Sequence, residues 1–496
     1  MLKNKKQLYL YGYLLSYFIL NLTFLTKFPF VHSDESWLSG LTRNMFLSQS
    51  IKVTEPFFDL YPRQPHAIKI IFHGFQMLFY QLFGYSVFSF RLMSLCFAII
   101  SLFLLYKLAI KLLHNQKLSL LLTIIVSLDI QFIYAAHFAR AEIVLLTFFI
   151  LALNCYFSKH QNLTGLIIGL SIGIHPNSFI IALAIGGLYL YDVCYKRQAK
   201  TKLFIYIGEI SGFALCFVGL SFILNPNFLS DYFNYGKQFG VDRSLLAKLL
   251  EIVNYYKKIF YQVSITYYIP NVILELIILT FLVVTNLFHH NDNSFKTLLL
   301  IFGINLGIII VGRYNTTAIV LFFPLIYLLL FITFQNIKKQ KIIYILILIL
   351  TLFNSISNII PNTNNNYQKY LDNISQYVKP SDTVLANLNS EYYFDNDKLF
   401  DYRNLYYLDA NNLSFADYIK NNNIQYIIYS EELDYIYNSR PVWNVVYGNL
   451  YYYYDDMQTF LTDHTTLIAN FESEYGMRIV RFQNQNWQIK IYQVIN

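Results

Sequence analysis

The chain has 496 residues, of which 56% are hydrophobic and only 13% charged, with a mean hydropathy of +0.40. Water-soluble globular proteins carry about 25% charged residues, so the composition excludes one and requires lipid to solvate most of the chain. The net charge of +8 is unevenly spread: residues 361–496 hold 9 Lys and Arg against 16 Asp and Glu, and residues 1–360 hold 28 against 13. That change of sign, with the Asn-rich PNTNNN at 361–366 on it, marks an expected domain boundary. Cys96, Cys155, Cys194 and Cys216 lie in or beside apolar segments, without metal or CxxC spacing, and read as small core hydrophobes.

Runs apolar enough to span the roughly 30 Å hydrocarbon layer lie near 8–28, 88–106, 118–135, 142–157, 163–180, 177–195, 203–224, 269–288, 297–312, 316–334 and 341–359. The first lacks a small-residue cleavage site and reads as a retained helix. The fifth and sixth nearly merge at His175-Pro176, where a tight turn is expected. Basic clusters such as Lys3/Lys5/Lys6, Lys107/Lys111/Lys117 and Lys338/Lys339/Lys341 alternate with the runs and mark cytoplasmic turns. The N-terminus is then cytoplasmic, and 361–496 extracytoplasmic. Two large outer loops follow, at 29–87 and 225–268, the second holding Lys237, Arg243, Lys248, Lys257 and Lys258.

Within the first loop, Ile68, Ile71, Phe72, Phe75, Leu78, Phe79 and Leu82 repeat at helical spacing, while Lys69, His73, Gln76 and Gln81 break the apolar run. The pattern predicts an amphipathic helix at the outer interface. A twelfth span here would put the Lys107–Lys117 cluster outside, against the charge rule. The tail from about 367 predicts a small α/β domain, with strands from TVLANL, QYIIYS, TTLIANFE, RIVRF and WQIKIYQV and helices around 367–378 and 414–421.

Asp34 and Glu35, in HSDES, follow the first span directly. Adjacent carboxylates at a lipid boundary are costly unless solvated, paired or functional. One reading is local: Ser33 or Asp34 starts a helix and the acids sit on its positive end. The other is a general base that deprotonates an acceptor hydroxyl. Arg140 and Glu142, in HFARAEI, form the next outer turn, either as an ion pair or with Arg140 holding a phosphate. Asp129, His137 and His175 are placed near the same outer cavity. Arg313, in GRYNTT, is the lone charge between two late spans, and Arg63, His66 and Lys69 line the first outer loop. For individual lysines, snorkelling to headgroups is the simpler account.

Taken in order, four pieces are similar to the GT-C superfamily, and in particular to bacterial protein O-mannosyltransferase-like families (glycosyltransferase family 39-like) related to the 4-amino-arabinose lipid A transferase. They are SDES, the stretch from YPRQPH through FRLMSL, HFARAEIVLL, and the Gly-rich LTGLIIGLSIGIHP. GRYNTTAIVLFFP adds a weaker match. The resemblance covers about 1–190, is loose over 200–360 and is absent from the tail. Glu142 stands where relatives often have Asp, and Ala141 where Pro is frequent.

The resemblance implies a polytopic α-helical plasma-membrane protein of about eleven transmembrane helices. A GT-C-like catalytic domain would occupy 1–360, while the small extracytoplasmic α/β domain at 361–496 is read from its charge and strand pattern. It implies transfer of a monosaccharide from a polyprenyl-phosphate donor to a lipid, glycan or protein acceptor, inverting the anomeric carbon. Asp34 would be the base, with Glu35 and Glu142 shaping the pocket. Arg140 and Arg313 would be candidates for the donor phosphate. By outer-loop position, Arg63 and Lys69 are further candidates, and His66, His137, His175 and Asp129 are candidates for the pocket. Some relatives bind a divalent metal, but no complete ligand set is legible, and no nucleic-acid partner is expected. Two other classes stay open: a cell-surface glycan ligase or polymerase, and a polysaccharide or lipid transporter. Internal repeats, usual in transporters, are not visible.

Overall fold

The computed structural model describes the chain apart from residues 1, 159, 239–245, 248, 251–271, 289–290, 312–315, 365, 442–443, 445–449, 476–485 and 496. The elements run α1 (Leu2–Leu22), α2 (Ser33–Ser48), α3 (Ile70–Phe83), α4 (Val87–Leu113), α5 (Gln116–Ser127), α6 (Ile130–Ala136), α7 (Ala141–Tyr156), α8 (Leu163–Ile172) and α9 (Ser178–Cys194). Further helices are Thr201–Leu224, Phe228–Gln238, Ile273–Phe288, Asp292–Ile310, Phe323–Phe334 and Gln340–Ile359.

Each of the eleven apolar runs falls on one of these helices or on a broken pair. As crossings, the count is not settled by length. A straight span needs about 20 residues. Among the described residues, Val87–Leu113, Thr201–Leu224, Asp292–Ile310 and the helix beginning at Gln340 meet that test, and α5 with α6, bent by 68°, makes a fifth. The bend has a local cause. Asp129 turns its carboxylate back to accept from Gln131 N at 2.8 Å and Phe132 N at 3.2 Å, capping α6 and ending α5.

The bundle packs most closely where α9 meets helix Asp292–Ile310. A Cβ on Gly303 would lie 2.6 Å from Ala184 Cα, and one on Gly307 2.8 Å from Ile180 Cα. This small-xxx-small seam lets two backbones approach in a medium that offers no hydrophobic drive between helices. Gly303→Ala is therefore expected to lower unfolding stability by about 1–3 kcal/mol, measured by denaturation in bicelles. Gly208→Ala, where a Cβ would meet nothing within 4 Å, is the matched control, with no loss expected.

The predicted amphipathic helix exists as α3, but its polar side faces protein. His73 and Gln76 are buried against α2, with Thr42 Oγ1 at 2.8 Å from His73 Nδ1 and 2.6 Å from Gln76 Oε1. Leu78, Leu82 and Phe83 are exposed, as befits a surface solvated by lipid.

In the tail, strands β1 (Val384–Ala386), β2 (Leu399–Asp401), β3 (Tyr426–Ser430), β4 (Thr465–Ser473) and β5 (Trp487–Val494) form one sheet in the order β2-β1-β3-β5-β4. Its first two pairings are parallel and the rest antiparallel. Helices Tyr367–Ser375 and Phe415–Asn421 fall where expected. β2 is too short for its alternation to be read from sequence, and RIVRF lies within the undescribed 476–485. The change of charge sign at 361 is not a break in packing. Phe30, Val31, Phe57, Phe58 and Tyr61 of the first outer loop share one core with Tyr367, Ile374, Leu388 and Ile489. Asp401 N donates to Phe57 O at 3.1 Å, and Tyr418 OH to Asp59 at 2.8 Å.

Candidate active site

The cap of α2 is neither Ser33 nor Asp34. It is His32, whose Nδ1 accepts from Asp34 N at 3.0 Å while Glu35 Oε2 accepts from His32 N at 3.0 Å. This is a capping box with an imidazole in place of the usual hydroxyl.

The adjacent acids then part company. Glu35 is fully buried and accepts from Arg91 Nε at 2.8 Å, Arg91 Nη2 at 2.7 Å and Ala139 N at 3.0 Å. Arg91, equally buried at the start of α4, also donates through Nη1 to Leu25 O at 3.0 Å and Pro29 O at 2.9 Å. With four donors on its oxygens, Glu35 has no lone pair left for a substrate. Grouped with Asp34 in the sequence reading, Glu35 is turned away from it and ties α2 to α4 and to the turn before α7.

Asp34, one residue earlier, points the other way, and its side chain keeps 20% exposure. Arg140 Nη1 donates to Asp34 Oδ2 at 2.5 Å, and Arg140 Nη2 lies 3.0 Å from Glu142 Oε1. Arg140 thus joins both acids instead of standing free for an anion. Arg63 is engaged as well, on Glu55 at 2.8 and 3.2 Å, with its guanidinium 5.4 Å from the Trp37 ring centre. Burial would raise the Glu55 carboxyl, but Arg63 and the Trp37 N–H outweigh it and hold the group at about 2.

Lys69 differs from both arginines. It precedes α3 and is half-buried, and its ammonium has no hydrogen-bond or ion-pair partner among the described residues. Burial, with Arg140 and Arg63 nearby, brings its pKa down to about 8, against the opposing pull of Asp34 and Glu142. His66, beside Phe228 and Tyr232, has a buried Nδ1 without a hydrogen-bond partner. Burial and then Arg63 and Lys69 push it down to about 4, so it is neutral near pH 7. Lys69, from the loop before α3, and Arg140, from the turn before α7, therefore both lie near Asp34 and Glu142.

Other expected pocket residues are elsewhere. His137 is fully buried, with Nδ1 at 2.9 Å from Phe28 O and Nε2 at 2.8 Å from Asn21 Oδ1, so it pins the α1–α2 connection instead of lining a pocket. Asp129 faces inward as the α6 cap and accepts from Tyr327 OH at 2.7 Å, away from any outer cavity. His175 Nδ1 accepts from Asn177 N at 3.0 Å in the α8–α9 turn, whose Gly173 carbonyl accepts from Ile71 N at 2.9 Å. Arg313 and most of 225–268 lie outside the described residues. Among the described residues no group of three His, Cys, Asp or Glu side chains is placed to hold a metal. Arg91 carried a signal that the sequence reading left unused: a charge inside the apolar run 88–106, which is costly unless paired.

No known family pattern and no curated protein matches the sequence. The fold is similar to that of solved membrane transferases over nearly the whole chain. One is ArnT from Cupriavidus metallidurans bound to undecaprenyl phosphate, with 10% identity, 98% of this chain and 97% of that chain covered, and a TM-score of 0.58. Its apo state aligns with a TM-score of 0.53 at 10% identity, over 97% of each chain. Another is the archaeal oligosaccharyltransferase AglB from Archaeoglobus fulgidus, in complex with an inhibitory peptide and a dolichol-phosphate. There identity is 12%, coverage 95% of this chain and 74% of that chain, and the TM-score 0.50. Both proteins are GT-C superfamily members. The GT-C architecture expected from the ordered motifs is thus the architecture this chain adopts.

Proposed function

We propose that this chain is a multi-pass plasma-membrane glycosyltransferase that moves a monosaccharide from a polyprenyl-phosphate donor to an acceptor hydroxyl at the outer face. Asp34 acts as general base. The observation that carries this reading is the pairing of a part-exposed carboxylate, oriented by Arg140, with a nearby Lys69 whose ammonium has no partner among the described residues. Arg140 fixes the direction of the Asp34 carboxylate. The carboxylate takes the acceptor proton as the hydroxyl attacks the anomeric carbon, inverting it. The departing phosphate needs positive charge more than a general acid, and Lys69 supplies an ammonium near Asp34 with no partner among the described residues. Glu142 acts through Arg140, and residues 361–496 lie on the same outer side as Asp34.

Lys69→Met is expected to weaken donor binding by about 10–100-fold, the size of one charged hydrogen bond, while Lys69→Arg retains most of it. A bound phosphate favours the ammonium form, so affinity is highest where Lys69 is already protonated. Wild-type affinity should therefore fall as pH rises through about 8, and the Arg variant should not follow that decline. Titration of undecaprenyl phosphate into the purified protein reads both effects. A pH-independent affinity, unchanged in Lys69→Met, would remove Lys69 from the donor site.

The similarity to an oligosaccharyltransferase favours a second reading, transfer of a preassembled glycan by the same site. Parallel assays with radiolabelled polyprenyl-phosphate monosaccharides and polyprenyl-pyrophosphate oligosaccharides separate the two. Turnover of neither, under conditions where a GT-C enzyme is active, would overturn the transferase reading.

A further inference from the structure

A cavity of about 720 Å³ opens between the end of α1, the start of α4 and the segment that leads into the sheet. Small-molecule sites typically occupy about 300–1,000 Å³. Four tyrosines line it (Tyr85, Tyr367, Tyr392 and Tyr393), together with the amides of Asn364, Asn366 and Gln368. Its one charged residue is Lys27, exposed and without an ion-pair partner among the described residues, and no carboxylate lines it.

The tyrosines are held from behind. Tyr85 OH donates to Glu391 and Tyr367 OH to Asn389 O. Tyr393 OH donates to Val378 O at 2.6 Å, and Tyr392 OH accepts from Ser39 Oγ at 2.9 Å. With each hydroxyl anchored in protein, the rings form a rigid wall whose position costs no further ordering on binding.

We propose that this cavity binds a saccharide. The lining chemistry separates a sugar from the alternatives. A sugar presents an apolar C–H face to aromatic rings and a ring of hydroxyls to amides, and the wall offers both. Val87, Phe88, Leu371 and Pro380 also line the cavity, but the Asn, Gln, Ser and Thr side chains interrupt them and deny an acyl chain a continuous apolar lining. Lys27 adds one donor and admits a sugar with an acidic substituent. The wall is also braced against α2 from behind. Tyr392 bonds Ser39 on α2, and the neighbouring Glu391 pairs with Arg43 on the same helix. The wall and the helix that starts at Asp34 are therefore fastened through consecutive residues.

The test is saturation-transfer NMR on the purified full chain in phosphatidylglycerol nanodiscs, with chitotriose, mannotriose and trigalacturonic acid as probes. At least one should receive saturation. Tyr393→Ala and the surface double variant Lys27→Gln/Asn364→Ala should each weaken that binding at least five-fold. Asp34→Asn should bind as wild type does, so binding survives a failed transferase reading, and failed binding leaves that reading untouched. The proposal is overturned if none of the probes binds, if binding ignores both cavity variants, or if phosphatidylglycerol occupies the cavity and excludes them. The double variant, at exposed positions, keeps the test valid should Tyr393→Ala misfold.

Discussion

Asp34→Asn is expected to lower the rate of sugar transfer by about 10²–10⁴-fold, the usual loss when a general base is removed, with donor affinity within about three-fold of wild type. The amide keeps the shape of the carboxylate and can still accept from Arg140, so the start of α2 stays in place. What it loses is the ability to take a proton. Because Lys69 rather than Asp34 is assigned to the phosphate, the effect belongs in kcat and not in donor binding. Initial rates at saturating donor, alongside donor titration, give both numbers. Asp34→Glu should fall between the two, since the extra methylene moves the carboxylate about one bond away from the direction that Arg140 fixes at 2.5 Å. Full turnover in Asp34→Asn would exclude Asp34 as the base.

The second large effect is structural. Arg91→Met leaves Glu35 buried with its charge uncompensated and is expected to cost about 3–5 kcal/mol. The pair itself is not required for stability: replacing both partners by apolar residues of similar size can be neutral or stabilising. The double variant Glu35→Leu/Arg91→Met should therefore recover most of the loss in unfolding measurements by steric trapping in bicelles. Turnover should not recover with it. Without Arg91, the bonds to Leu25 O and Pro29 O that hold the α1–α2 connection are gone. Without Glu35, so is the return bond to His32 N that starts α2. Asp34 then has no fixed direction. A double variant that regained both stability and full activity would show that the pair does not position the base.

Much of this architecture was legible beforehand. Apolar runs are long-range averages over many residues, so their helices emerged together with the turn at His175-Pro176 and the helix beginning near Ile70. The tail's longer strands and two of its helices emerged for the same reason, through period and capping. Which face of α3 is buried did not. Helical spacing defines two faces but not which medium each meets: Leu78 and Leu82 turn outward to lipid, while His73 and Gln76 turn in beside Phe72. The Asp34–Glu35 pair was visible as a pair, yet its division of labour was not. A helix start sends consecutive side chains about 100° apart, so one acid entered the interior and the other stayed near the surface.

Sequence alone determined that this is a membrane-embedded helical chain with an acidic, sheet-forming tail, and that an acidic pair follows its first span. Those properties reside in composition, periodicity and local order. Tertiary structure decided the partners: Arg91 for Glu35, Arg140 for Asp34, Glu391 of the tail for Arg43, and none of the described groups for Lys69. Those bonded pairs join residues 56, 106 and 348 positions apart. A charge in a low-dielectric interior needs a partner in space, and neighbourhood in sequence does not supply it.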